Sequence, residues 1–177
     1  MLLAKTYSIS MNKFFIIPLL ITIFISGCKE KNKKTSSVQD EINQIIMNFQ
    51  LVENVKGATD FVLNANKALV YDTQTIVYKV TLEFYKNGVP YAELISDSGQ
   101  LFTNTNDMCA YGNVKVTGIQ NATLETDLLN WSNKRQTIYT PSNVLINKER
   151  KIIKGKDFES DPGLTNIKLK ETYGYGK

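Results

Sequence analysis

The run from Ile76 to Tyr85 limits the fold more than any other part of this chain. Ile76, Tyr78, Val80, Leu82 and Phe84 alternate with Lys79, Thr81, Glu83 and Tyr85 around Val77. A period of two built from β-branched and aromatic residues suits a pleated, half-buried strand. Asn87-Gly88 supplies a tight turn and Tyr91 to Ser96 returns. Ser98-Gly99 reads as another turn, leading into Gln100 to Thr103. Further strands are expected at Met108–Thr117, Ala122–Leu128, Gln136–Tyr139, Val144–Asn147, Lys151–Phe158 and Leu164–Thr172. Turn residues such as Gly118, Asn121, Asn133, Pro141 and Asp161-Pro162-Gly163 separate them. No helical pattern follows residue 50. The fold class is all-β: a sandwich, a jelly roll or a barrel-like sheet.

Residues 38–52 carry two patterns. Val38, Ile42, Ile45, Ile46, Phe49 and Val52 fit a helical stripe, while Met47 to Val55 also fits an extended segment. The expectation is a short helix or coil to about Ile46 and then a strand. The terminal strands, about 47–55 and 164–172, have no further neighbour unless the sheet closes. An open edge is a place for another strand to add.

The N-terminus is organised differently. Lys13 precedes a twelve-residue apolar run, Phe14 to Ile25, and Ile25-Ser26-Gly27-Cys28 closes it. A basic residue, a short apolar core and small residues before a cleavage point make a secretory signal. The run is short of the roughly 20 residues that a membrane span needs. Cysteine directly after the small residues resembles a bacterial lipoprotein signal. That resemblance implies cleavage after Gly27 and acylation of Cys28, with residues 1–27 removed. Met11-Asn12-Lys13 begins such a signal by itself, so Met11 is an alternative start. Residues 28–46 read as a polar tether with the short helix, and Lys29, Lys31, Lys33 and Lys34 suit anionic headgroups at about 1 kcal/mol per charge.

Composition narrows function. Of 21 basic residues, Lys5 and Lys13 fall in the signal. The mature balance is therefore 19 against 17 acidic residues, or +2, too weak for a nucleic-acid partner. There is no histidine, and Cys109 has no partner once Cys28 is acylated. Histidine-based nucleophilic catalysis, histidine zinc sites and an internal disulfide are excluded. No carboxylate pair and no glycine-rich phosphate loop stands out, so no catalytic residue, cofactor or metal is assigned. The reading is a non-enzymatic protein.

Three segments carry a family resemblance. They are Gly112-Asn113-Val114-Lys115-Val116, Leu124-Glu125-Thr126-Asp127-Leu128-Leu129-Asn130-Trp131, and Thr140-Pro141-Ser142-Asn143-Val144. In this order and spacing they resemble the LptC family, the periplasmic component of lipopolysaccharide export. Residues 57–68 look like the family's early hairpin, with Phe61 where many members carry Trp. The resemblance covers about 47–173, with 174–177 as a tail. It implies an open β-jelly roll whose interior is a boat-shaped groove for acyl chains. It also implies three partners: lipopolysaccharide or a related glycolipid, an inner-membrane ABC transporter, and an LptA-like β-bridge protein. Best-known members are held by a transmembrane helix; here a lipid anchor takes its place, on the periplasmic side of the inner membrane, with the outer membrane as the alternative.

The expected groove face is Tyr78, Val80, Leu82 and Phe84, with Leu94, Val114, Val116, Leu124, Ile138, Val144 and Phe158. Gly112 and Gly155 are expected at strand bends or close backbone approaches. Alternation relates residues within a strand but does not say which face points inward. The competing class is a membrane-tethered lipoprotein whose closed β-sandwich carries no cargo.

Overall fold

A computed structural model describes residues 41–176 of the chain. The signal, Cys28 and most of the tether lie outside the described residues. Among the described residues, ten antiparallel strands form one sheet. They are β1 (Gln44–Val55), β2 (Ala58–Val70), β3 (Gln74–Lys86), β4 (Val89–Phe102), β5 (Met108–Thr117), β6 (Thr123–Ser132), β7 (Thr137–Thr140), β8 (Val144–Lys148), β9 (Lys151–Ser160) and β10 (Lys168–Gly176). The order is a meander. Only β7 and β8 depart from it, lying end to end between β6 and β9. Tight hairpins form where two consecutive residues accept positive φ, Lys56-Gly57 (52° and 83°) and Asn87-Gly88 (54° and 75°), because that turn matches the right-handed twist of the strands.

A crease runs across the sheet and turns it over on itself. In β3, Thr75 and Val77 are buried, then Tyr78 and Lys79 are both exposed, and Val80, Leu82 and Phe84 are buried. The inward parity has flipped at Lys79, which sits at φ 55°. Asn48 in β1, Gly112-Asn113 in β5 and Asp157 in β9 also have positive φ. The β4–β5 register slips between Ile95 and Ser98, and the β5–β6 register between Tyr111 and Val114. Pro141-Ser142-Asn143 breaks the strand between β7 and β8. Extra or left-handed residues bend strands and increase their twist. A whole row of them folds one meander into two layers.

Contacts across the fold join strands remote in the sheet. The rings of Phe84 (β3) and Trp131 (β6) lie 4.9 Å apart at 55°. The Asn106 amide donates to Glu53 at 3.1 Å, and the Gln136 amide to Asp60 at 3.2 Å. The Ile119 N–H donates to the Gly163 carbonyl at 3.0 Å. Inside lies one apolar cluster that includes Phe61, Leu63, Leu82, Val116, Leu129 and Ile146.

Several local expectations are corrected. Residues 44–46 belong to β1, and no α-helix occurs among the described residues. Ile45 and Ile46 face opposite ways on an edge strand, and that adjacency imitates helical spacing. Ser98-Gly99 is not a turn but part of the crease inside β4. The true turn follows at Thr103–Asp107, where Asn106 has φ 56°. Leu164–Ile167 is loop, so the last strand begins at Lys168 and runs through Gly174 to Gly176, into the segment expected to be a tail.

Candidate functional site: the inner face of the creased sheet

Ten of the eleven groove candidates point inward. Val80, Leu82, Phe84, Leu94, Val114, Val116, Leu124, Ile138, Val144 and Phe158 are each at most 5% exposed. Tyr78 does not join them: it is 39% exposed, on the outer face. The crease at Lys79 is the cause, since Val77 takes the inward position on that side. Val77, Leu129 and Trp131 also line the interior. For Val77 and Leu129, an alternation carried straight through the crease gives the wrong face. A mid-strand polar residue in successive strands (Asn48, Asn66, Lys79, Asp97, Asn113, Asp127, Asp157) was the available signal.

The interior is packed. Its apolar cavity is about 20 Å³, lined by Leu63, Val80, Leu82, Met108, Trp131 and Ile138 among others. That is about the space of one water-sized probe. A recess of about 490 Å³ between Thr73, Phe102, Asp107, Met108, Trp131 and Tyr139 adjoins it and shares Met108 and Trp131. The buried Trp131 Nε1–H has no hydrogen-bond partner among the described residues.

The far end is closed by the Asp161–Ile167 loop. Leu164, at φ 54°, is wholly buried. Lys148 Nζ donates to the Leu164 carbonyl at 2.8 Å, and Asp161 Oδ1 accepts from the N–H groups of Thr165 (3.1 Å) and Asn166 (2.9 Å) and from Thr165 Oγ1 (2.7 Å). Partial burial pushes the Asp161 carboxyl up, but these bonds outweigh it and hold its pKa below the ordinary value. Tyr91, packed beside Gly163, has its pKa pushed up to about 12, by burial first and then by Asp161 and Asp60.

The two flanks of the interior are only partly covered. Among the described residues β1 pairs only with β2, and β10 only with β9, so the sheet is not closed. Ile46, Phe49 and Leu51 on β1, Ile153 on β9 and Leu169 on β10 are partly buried against the core. An apolar inner face thus extends from one open edge strand to the other.

Gly112 and Gly155 occupy special positions. Gly112, at φ 72°, is in the crease, and a Cβ there would lie 2.9 Å from Asp97 Oδ2. Asp97 accepts from Lys79 Nζ (2.9 Å) and Asn113 Nδ2 (2.6 Å), bonds that lower its pKa. At Gly155 a Cβ would come within 2.6 Å of the Glu171 carbonyl oxygen on β10.

A family model for LptC-related lipopolysaccharide assembly matches residues 14–173. The chain belongs to the LptC family. No curated protein matches it. The family's part is in lipopolysaccharide transport on the periplasmic side of the envelope, with the transport machinery, as a lipid-transport component rather than an enzyme. In this LptC-family chain the described residues include no helix long and apolar enough to cross a membrane. They also include no cluster of three or more Cys, Asp or Glu placed to hold a metal.

Proposed function

We propose that this protein is a non-enzymatic relay for lipopolysaccharide or a related glycolipid. It receives the lipid from an inner-membrane ABC transporter, shelters acyl chains on the inner face of the creased sheet, and passes them to an LptA-like β-bridge protein. The N-terminal edge strand β1 meets the transporter and the C-terminal edge strand β10 meets the bridge protein, each by backbone hydrogen bonding. Acylated Cys28 holds the domain at the inner membrane. Exposing acyl chains to water costs about 0.8 kcal/mol per CH₂, so the path has to be apolar. The observation that carries this reading is the unclosed sheet, with partly covered apolar residues at both flanks of its inner face.

The 20 Å³ cavity favours a second reading, a sealed sandwich without cargo. A photocrosslinker placed in turn at buried Val80 and at its exposed neighbour Lys79 separates the two. The relay gives lipopolysaccharide adducts from Val80 and few from Lys79. Adducts from Lys79 alone, or from neither position in a cell exporting lipid, rule it out. The anchor is tested separately: Cys28→Ala leaves the domain folded and releases it from membranes.

A further inference from the structure

Outside the core, one part of the sheet's surface is unusual. On the N-terminal side of the crease, two rows of outward residues cross β1, β2 and β3. By register one row is Ile45, Leu69 and Ile76, and the other is Met47, Lys67 and Tyr78. Five of the six are apolar or aromatic, and none is acidic. Met47 is 65% exposed and Ile45 57%. Lys67 Nζ lies 6.0 Å from the centre of the Tyr78 ring. The outer face on the other side of the crease differs: there Glu83, Glu93, Lys115, Glu125 and Lys154 interrupt the apolar residues.

We propose that this outer face of β1–β3 rests on the surface of an anionic bilayer. The argument rests on the acyl-anchor reading for its geometry. From Cys28 to Glu41 there are thirteen residue steps, so the domain's first described residue stays within about 45 Å of the anchored thioether even at full extension. The patch begins four residues further on, at Ile45. Lys29, Lys31, Lys33 and Lys34 occupy the connecting chain and are attracted to the same anionic headgroups. The composition of the patch also suits an interface. Tyrosine places an apolar ring with a polar tip at headgroup level, and lysine lays its stem on apolar surface while its ammonium stays in water. Docking by this face leaves the free edge of β1 unpaired and available, because it uses side chains normal to the sheet rather than backbone groups along its edge.

The test supplies the tether chemically, so it stands even if cells do not acylate Cys28. The chain from Cys28 onward, which retains all ten described strands, carries Cys109→Ser and is coupled through the Cys28 thiol to a maleimide phospholipid. The vesicles are phosphatidylethanolamine and phosphatidylglycerol with a fraction of brominated lipid. Met47→Trp places a fluorophore in the patch, and Leu145→Trp places one on the outer face beyond the crease. Native Trp131, 3% exposed, is a common background. The expected result is severalfold stronger bromine quenching at position 47 than at 145, with a blue shift at 47, both reduced by Lys67→Glu. Equal quenching at the two positions, or none at 47, overturns the proposal. Failure of Cys28→Ala to release the protein in cells instead overturns the anchor reading and leaves this result standing.

Discussion

Gly118→Ala is the simplest test of the closed end of the interior. Gly118 has φ −102° and ψ −160°, extended backbone that alanine adopts without strain. Its difficulty is space: a Cβ would lie 2.4 Å from the Gly163 carbonyl oxygen and 2.6 Å from its carbon. Both are backbone atoms, so no side chain can swing aside. The fold has two responses. It can stay closed and strained, an overpacking cost of about 1–3 kcal/mol. Or it can release the Asp161–Ile167 loop, losing the burial of Leu164, about 1.5–3 kcal/mol, and the Ile119–Gly163 hydrogen bond, about 1 kcal/mol. Reduced freedom of the unfolded chain returns about 0.4–1 kcal/mol. The net expectation is a loss of about 1–3 kcal/mol, or about 3–10 °C in Tm for a domain of this size. Thermal unfolding gives the magnitude, and amide exchange at Leu164 separates the responses, since only release exposes that N–H, bonded at 3.0 Å to the Asp161 carbonyl. A Tm within 1 °C of the parent, with unchanged exchange at Leu164, refutes the close-packed end.

Three further outcomes follow from the same geometry. Gly155→Arg places side-chain atoms against the Glu171 carbonyl; amide exchange along β10 rises and binding of a β-bridge partner through that edge falls, while β1–β4 keep their protection. Asp161 has a depressed pKa in the folded state. Its contribution is therefore present above the ordinary carboxylate value near 3.9 and is lost as pH falls through the lower folded value. Acid unfolding of Asp161→Asn accordingly shows a smaller loss of stability across that window than the parent. Trp131→Phe keeps a ring against Phe84 and removes a buried N–H that has no partner among the described residues. It should cost no more than about 1 kcal/mol in urea unfolding, against about 3–5 kcal/mol for Trp131→Ala.

The strands were legible because alternation survives over short stretches, and on either side of the crease it holds. That is why ten inward residues followed from pattern and family resemblance together. The crease was hard to read because a one-residue flip changes little where both faces carry apolar residues; its one trace is the mid-strand polar residue, Lys79 in β3. Ile76, Val77 and Tyr78 are all acceptable on either face, so those three alone do not mark Val77 as the inward one. Leu164–Ile167, the second part of the Asp161–Ile167 loop, reads as strand because Ile167 and Leu169 alternate with Lys168 and Lys170 and the pattern extends back to Leu164. Its true state depends on Gly118 and Tyr91, distant in sequence, which accept Gly163 against them. Tyr78 lies on the outer face beside Lys67 and in one row with Met47, and that row belongs to the outer patch.

A packed interior and a relay are compatible on energetic grounds. A deep preformed channel would hold acyl chains without any compensating contact to restore when they leave. In the proposed relay, contacts between an entering chain and Leu63, Leu82 or Trp131 would replace the contacts those residues make with each other, apolar for apolar. The net change on entry from another apolar surface would then be small beside the ~0.8 kcal/mol per CH₂ that separates the chain from water, and release to the next apolar surface would not be a deep climb. The flanks are where such an exchange begins, because Phe49, Leu51, Ile153 and Leu169 are only partly covered, and elements with few buried contacts open at the lowest cost. Pairing of β1 or β10 with another sheet acts on the same strands. In the proposed relay, docking and opening would thereby be coupled through the edges: a partner that extends the sheet would also lengthen the inner face along which the chain moves.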